Sequence, residues 1–137
     1  MNDRSTPSEL DRLRGMMDRE LASERFYREL APKFMKQQSQ RLLQTAQDEA
    51  RHLRALQMEY FLLTGDSYSP AAENAVITSR LSALRDGYHA ERAAYEGYME
   101  AAQETGSTAL AAVFIANAAD EARHAQMLRE MISKALG

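Results

Sequence analysis

The pentapeptide DEARH occurs twice in this chain of 137 residues, beginning at positions 48 and 120. Each copy contains a glutamate followed three residues later by a histidine: Glu49 with His52, and Glu121 with His124. On an α-helix a spacing of three separates two side chains by about 60° on adjacent turns, so both can bind one point. A carboxylate and an imidazole arranged in this way are suited to holding a metal ion.

Two further glutamates lie on apolar stripes of other helical segments. They are Glu20 and Glu91, and a tyrosine follows each of them seven residues later, at Tyr27 and Tyr98. Burying four ionised carboxylates together costs many kcal/mol without compensation, so the charge balance predicts two metal ions. Each metal would take one histidine and one terminal carboxylate, while the remaining two glutamates bridge. The tyrosines are interpreted as donors to a bridging carboxylate, as a redox relay or as ordinary core residues.

A second set of charged residues surrounds the repeated glutamates. Asp48 and Asp120 precede them, and Arg51 and Arg123 follow two places later. We expect each aspartate to reach across to the back nitrogen of a histidine and fix its tautomer, with each arginine neutralising a buried aspartate. The alternative is a pair of exposed ion pairs of little energetic worth. Glu24, one turn after Glu20 and matched by a tyrosine in the second half, is a candidate accessory ligand or hydrogen-bond acceptor.

Simpler interpretations exist for each element of this pattern. A single Glu-x-x-His is common on solvated helix faces, a buried glutamate near an arginine is usually an ion pair, and a repeated pentapeptide can record a decayed duplication. Six residues in phase with four apolar stripes favour the metal site. A mixed carboxylate and imidazole set without sulfur suits iron or manganese and admits zinc. The predicted ligands are Glu20, Glu49, His52, Glu91, Glu121 and His124, and the metal centre itself would be the catalytic group.

Composition excludes several classes of protein. The chain has no cysteine, which rules out disulfides, zinc–thiolate sites, iron–sulfur clusters and thiol catalysis. A net charge of −3 gives no electrostatic reason to expect nucleic-acid binding. No apolar run approaches the roughly 20 residues of a membrane span, and the polar start resembles no signal sequence, so we expect a cytoplasmic protein with no membrane partner.

Helical periodicity and breakers predict four helices and no strand. We expect helices over residues 8–31, with Ser8 as N-cap and Pro32 ending or kinking the helix, and over residues 39–63. A crossover over residues 64–74 precedes a third helix beginning between 75 and 82. Gly106 as C-cap and Ser107 as N-cap separate it from a fourth helix. Five methionines are expected to fill the core: Met16, Met17, Met58, Met127 and Met131.

The chain contains two copies of one helical hairpin, about residues 8–63 and 75–136. Leu10, Leu13, Glu20 and Tyr27 recur at the same spacing from Leu81 onward. Two such hairpins joined by a long crossover predict an all-α, ferritin-like four-helix bundle that forms a single domain over residues 1–137. Packing the two halves together places an approximate twofold axis at the centre of the bundle.

The sequence resembles the ferritin-like superfamily, and most closely the rubrerythrin-like di-iron proteins. Four segments carry the resemblance over nearly the whole chain: RELASERFYRELA, QDEARHLRAL, HAERAAYEGYMEAA and ADEARHAQML. It implies the same six metal ligands and a site role for the two tyrosines. Two features depart from rubrerythrins: the rubredoxin-like module with its four cysteines is missing, and Ala94 stands where a second glutamate serves peroxide reduction. The ligand set is therefore closer to bacterioferritin or oxidase-type sites.

The resemblance implies three functions that can be told apart. The first is a di-iron or mixed-metal oxidoreductase that reduces O2 or hydrogen peroxide, with Fe(II) or an external rubredoxin-like or flavoprotein donor as reductant. The second is a ferroxidase or iron-storage subunit of the ferritin type. The third is a bundle that metals only stabilise. We expect a homodimer, since no sequence feature demands a cage.

Overall fold

The protein, seen in a computed structural model that describes residues 7–137, consists of helices joined by short and long connections. None of these helices is long and apolar enough to cross a membrane. No strand occurs within residues 7–137, so the predicted all-α bundle is confirmed. The elements are α1 (Pro7–Leu30), a short 3-10 helix (Ala31–Lys33), α2 (Lys36–Thr64), α3 (Arg80–Glu104) and α4 (Thr108–Leu136).

The ends of the first hairpin differ from the expected ones by a few residues. Helix α1 begins at Pro7, so Ser8 lies inside the helix and is not its N-cap. Proline is suited to the first helical position because its fixed φ fits and no donor is needed there. Pro32 ends α1 in the 3-10 turn, as predicted. Helix α2 begins at Lys36, three residues before the expected start, after an extended Met35.

The crossover between the hairpins extends past the expected residue 74, and the start of α3 lies within the predicted range of 75 to 82. Helix α2 ends at Thr64 and is capped by Gly65, whose φ of 78° is left-handed and whose N–H bonds to the carbonyl of Phe61. Helix α3 begins only after Ser79, whose hydroxyl accepts from the N–H of Ser82 at 3.1 Å. The crossover therefore covers residues 65–79, and residues 75–79 belong to it rather than to the second hairpin.

The connection between α3 and α4 confirms one predicted cap and corrects the other. The Ser107 hydroxyl accepts from the N–H of Leu110 at 3.1 Å, as expected of an N-cap. Gly106 is not the C-cap of α3. That position is Thr105, whose backbone is extended and whose N–H bonds to the Ala101 carbonyl. Because no left-handed residue is needed, the glycine has no capping role here.

The four helices bury two apolar layers, one toward each end of the bundle. Helix α1 packs mainly on α2, α3 packs on α4, and α2 meets α4 across the middle. One layer includes Leu13, Leu56 and Tyr98, and the other includes their repeat partners Leu84, Leu128 and Tyr27. Four of the five predicted core methionines are buried, but Met58 is 58% exposed. Met58 lies two residues from the buried Leu56 on one side and from the buried Tyr60 on the other, so it points to the opposite face of α2.

Candidate metal centre

The six residues singled out in the sequence meet between the two apolar layers. The periodicity that turns the apolar stripes inward also turns these side chains inward, and none is more than 3% exposed. Helices α1 and α3 each supply one glutamate, and α2 and α4 each supply a Glu-x-x-His pair. The members are Glu20, Glu49, His52, Glu91, Glu121 and His124.

The cluster divides into two groups that share two glutamates. One group contains Glu20 and His52, and the other contains Glu91 and His124. Glu49 and Glu121 belong to both groups. Within each group the four possible ligand atoms, one from each residue, all lie within 4.8 Å of one another. This geometry assigns the shared positions to the DEARH glutamates and the outer positions to the glutamates of α1 and α3.

Each histidine turns its Nδ1 atom toward the carboxylates. His52 Nδ1 lies 3.2 Å from Glu49 Oε1 and 3.4 Å from Glu20 Oε2. His124 Nδ1 lies 3.2 Å from Glu121 Oε1 and 3.5 Å from Glu91 Oε1. The two imidazole rings face each other with centroids 6.3 Å apart and planes inclined by 29°. The two halves of the cluster are thus related by the approximate twofold axis of the repeat.

The donor atoms of this cluster lack the hydrogen bonds that buried polar atoms normally have. Among the described residues, nine buried side-chain nitrogen or oxygen atoms have no hydrogen-bond partner, and seven of them belong to the six cluster residues. They include both carboxylate oxygens of Glu49 and the Nδ1 atoms of both histidines. Such atoms are costly unless something satisfies them, and divalent cations bound by oxygen and nitrogen ligands would do so. The residues present therefore fit a pair of metal ions.

Burial and mutual repulsion raise the pKa of the two shared glutamates, Glu49 and Glu121, when no metal is bound. Burial, followed by the charges of the neighbouring glutamates, raises the pKa of Glu49 well above its ordinary value. Burial is also the main cause that raises the pKa of Glu121 to about 7. Burial alone would lower the pKa of His124, but its contacts with Glu121 and Glu91 outweigh this and raise it to about 10. Protons thus provide part of the compensation when no metal is bound.

The two site tyrosines donate to the outer carboxylates. The Tyr27 hydroxyl donates to Glu91 Oε2 at 2.5 Å, and the Tyr98 hydroxyl donates to Glu20 Oε2. Of the three interpretations, the structure shows the hydrogen bond to a carboxylate, although each acceptor belongs to one group only and is not a shared glutamate. Each tyrosine lies seven residues, about two turns, after the outer glutamate of its own helix, and its hydroxyl reaches the outer glutamate of the other hairpin. Burial, then the adjacent carboxylate, raises the pKa of each tyrosine well above 10, so both remain donors.

The two aspartates make the cross-bundle contacts that the sequence led us to expect. Asp48 Oδ2 on α2 lies 2.8 Å from Nε2 of His124, and Asp120 Oδ2 on α4 lies 2.8 Å from Nε2 of His52. Each contact positions an imidazole so that its Nδ1 faces the cluster. The histidine hydrogen bonds outweigh burial and lower the pKa of both aspartates, which keeps them ionised.

The arginines and Glu24 lie outside this core. Arg51 donates to Asp48 at 2.9 Å and to Asp120 at 3.3 Å, and Arg123 also contacts both aspartates. Each arginine therefore serves both aspartates rather than one. Asp120 is half-buried rather than buried, with 18% of its side chain exposed. Glu24 accepts from Arg28 at 3.0 Å and is in neither metal group, which favours the hydrogen-bond acceptor of its two predicted roles.

One buried polar residue near the centre was missed in the sequence. Asn117 on α4 is 4% exposed, contacts Tyr98 and leaves its Nδ2 without a partner. The sequence could have indicated this residue, because Asn117 lies four residues before Glu121 and therefore on the same face of α4. Its repeat counterpart is Thr45, which is also buried but bonds to the Arg41 carbonyl at 2.9 Å. The two halves of the protein therefore differ at this buried polar position.

Comparison with known proteins agrees with the fold. The family model described as rubrerythrin matches residues 11–132 of the chain. A solved structure of a hypothetical protein from Pyrococcus furiosus is similar to this chain with a TM-score of 0.79 and 20% sequence identity, over 93% of this chain and 90% of that one. At this identity the likeness supports the fold alone. Among curated proteins, none matches.

Proposed function

This chain belongs to the rubrerythrin family, and we propose that its buried carboxylate and histidine cluster binds two metal ions, preferably iron, and reduces O2 or hydrogen peroxide. Manganese and zinc are the other ions that this ligand set suits. Glu49 and Glu121 would bridge the two ions. Glu20 with His52 would hold one ion, and Glu91 with His124 would hold the other.

One observation carries this proposal: the buried atoms without a partner converge on one place. A structural ion-pair network would satisfy its own polar atoms, whereas here every one of the six residues has at least one unsatisfied atom. All of these atoms are carboxylate oxygens or imidazole nitrogens. This is the ligand chemistry of non-sulfur transition-metal sites, and it favours metal binding over a purely structural role.

Two ferrous ions in such a site would supply two electrons, which together with two protons reduce O2 to hydrogen peroxide or hydrogen peroxide to two waters. The chain's own residues hold and shield the centre. The apolar layers above and below exclude bulk water. Tyr27 and Tyr98 each donate to Oε2 of an outer glutamate, while the Oε1 atoms of Glu91 and Glu20 are buried without a hydrogen-bond partner. Asp48 and Asp120 hold the histidines in the matching orientation.

Iron oxidation tests this function directly. We expect the protein loaded anaerobically with Fe(II) to develop the near-ultraviolet absorption of ferric iron when O2 or hydrogen peroxide is added, faster than Fe(II) in buffer. Reduction of the oxidised protein by an external donor should regenerate ferrous iron in the site, so that the protein can react with the oxidant again. Iron that binds but stays ferrous in the presence of both oxidants would refute the redox function while leaving metal binding intact.

Removing one aspartate should weaken metal binding without removing any ligand. For Asp48→Ala we expect a loss of about 10- to 100-fold in metal affinity, because His124 would lose the acceptor that orients its ring. Competition with a chelator measures this affinity. Asp11→Ala is the control, since Asp11 is an exposed aspartate on α1 that pairs with Arg14. Equal affinities of the two variants would contradict the orienting role.

The assembly, the donor and the location stay predictions. We propose a homodimer, which the exposed apolar side chains of Met58, Phe61 and Leu62 on the outer face of α2 support. The mass in solution tests it against a many-subunit cage. Because the chain has no cysteine-ligated iron module, a separate rubredoxin-like protein or flavoprotein would supply electrons. A cytoplasmic location fits such a donor.

A further inference from the structure

A cavity of about 270 Å³ lies between α1, α3 and the crossover. Its inner end is formed by two buried residues, Tyr27 of α1 and Gly87 of α3. Its outer rim carries two exposed carboxylates, Glu73 of the crossover and Asp86 of α3. The cavity therefore runs from solvent to the tyrosine that hydrogen-bonds Glu91.

The roof of this cavity is fixed to α1 by polar contacts. Asp18 accepts from the Tyr68 hydroxyl at 2.9 Å and from the Ala71 N–H at 3.0 Å. Arg25 donates to the carbonyl of Ala72 at 2.6 Å. These contacts hold the segment that carries Glu73 over the helices. A cavity already formed in this way spares a ligand the cost of ordering its own site.

Small side chains open the space, and they are not repeated in the other half of the protein. Gly87 lets Phe26 lie against α3, since an added Cβ would come within 3.2 Å of the Phe26 ring. Ala90 contributes to the wall beside it. At a repeat offset of 71, the residues corresponding to Gly87 and Ala90 are Met16 and Arg19. The centre is nearly symmetric, but this cavity is built from residues particular to the Tyr27 side.

The negative charge of Glu73 and Asp86 at the rim of the cavity favours a ligand with a positively charged group. Neither Glu73 nor Asp86 forms an ion pair or a hydrogen bond with any other residue in the range 7–137. The other lining residues are mostly aromatic or aliphatic, with Phe26, Tyr27 and Ala22 among them, and Ser23 adds one hydroxyl. An apolar pocket with two carboxylates at its mouth complements a molecule with a hydrophobic body and a positively charged end.

We propose that this cavity binds a small primary ammonium compound with a single ring. The ring would lie against Phe26 and Tyr27, and the ammonium group would lie between Glu73 and Asp86. The volume, just below the roughly 300 Å³ at which ligand pockets usually begin, limits the body to about one ring. Binding at this place does not require the metal ions, so the inference stands independently of the proposed redox function.

Titration of the full isotope-labelled chain with phenethylammonium chloride, followed by NMR, tests the site. We expect chemical-shift changes at Phe26, Gly87 and the Tyr27 ring that saturate with a Kd of about 1 mM or tighter, as suits a fragment of this size. The neutral analogue 2-phenylethanol should bind at least about threefold more weakly, because it lacks the charge. Absence of shifts at these residues up to about 10 mM would overturn the site, and equal affinities would overturn the ammonium specificity.

Matched variants separate cavity filling from a general effect on the bundle. Ala22→Leu places a larger side chain in the cavity wall and should weaken phenethylammonium binding by about tenfold or more. Ala93→Leu, the same change at the repeat-related and equally exposed position, should leave binding unchanged. Glu73→Gln combined with Asp86→Asn should reduce the affinity for phenethylammonium to that for 2-phenylethanol. Equal losses in the two leucine variants would overturn the assignment.

Discussion

In Glu49→Gln, metal binding is expected to fall from two ions per chain to one or none. Glu49 is a member of both groups, and both of its carboxylate oxygens are buried without a hydrogen-bond partner. The amide keeps the size of the side chain but removes the charge and one acceptor oxygen, so it cannot bridge two cations. Elemental analysis of the purified variant, counted per chain, measures the effect. Glu121→Gln should behave in the same way because Glu121 is the other shared residue.

A second prediction for the same variant separates metal loss from misfolding. The metal-free Glu49→Gln protein should be at least as stable as the metal-free parent at neutral pH, because the substitution removes a buried carboxyl group that must take up a proton when the chain folds. Glu24→Gln is the matched control: it lies on the same helix as Glu20, is half-buried and pairs with Arg28. It should retain two metal ions. If Glu49→Gln also retained two, the assignment of the bridging position would be wrong.

The free energy of unfolding of the metal-free protein should fall as the pH rises from about 5 to 8. For Glu121 the pKa is about 7 in the folded chain and 4.5 ordinarily, so between these values the unfolded chain loses a proton that the folded chain keeps. This one group accounts for about 3 kcal/mol across that window. Glu49 acts in the same direction. His124 contributes to the stability of the folded protein below pH 6.5, and this contribution is lost as the pH rises through about 10.

Metal should reverse this dependence. The glutamates and histidines must be deprotonated to bind metal ions, so the ions bind more tightly as the pH rises. Because the ions bind the folded protein and not the unfolded chain, they stabilise the folded state. We therefore expect the metal-loaded protein to gain stability between pH 5 and 8 over the range in which the metal-free protein loses it. Denaturant unfolding with and without metal measures both slopes. Identical slopes would show that the cluster is not the place where metal binds.

The metal-free protein should also lose stability in strong acid, for a different reason. Histidine contacts hold the pKa of Asp48 and of Asp120 below the ordinary 3.8. Their contribution is present above pH 3.8 and is lost as the pH falls through their folded values. The metal-free protein should thus be most stable near pH 5, between the two opposing trends.

Much of the metal centre could be predicted from the sequence, because helical periodicity determines which side chains of a helix point into the bundle. Once four apolar stripes were found, the glutamates on them had to face one another, and the repeat supplied the symmetry. The contact between Asp48 and His124 was also foreseeable. A residue directly before an inward-facing glutamate points toward the adjacent helix, and the repeat places a histidine there.

Other features depended on three-dimensional distances that a helical stripe does not encode. Periodicity placed Tyr27 and Tyr98 inside the bundle but did not choose between an outer and a shared glutamate as acceptor. Met58 fitted the composition of a core residue, yet its rotation on α2 turns it outward. The start of α3 depended on Ser79, one of several residues in a polar segment that are able to cap a helix.

The cavity was invisible in the sequence for a similar reason. It forms where Gly87 on one helix meets Phe26 on another beneath the crossover, so three segments distant in the chain create it. The hydrogen bonds that anchor the crossover to Asp18 join residues 50 and more positions apart. Neither the spacing of these residues nor their composition indicates such contacts.

Anomalous X-ray diffraction from crystals of the protein purified without added metal tests the central claim most directly. The account predicts two anomalous peaks in each chain, both bonded to Glu49 and Glu121. One peak should also contact Glu20 and His52, and the other Glu91 and His124. Crystals in which the six side chains converge but enclose only water, or in which metal binds elsewhere on the chain, would contradict it.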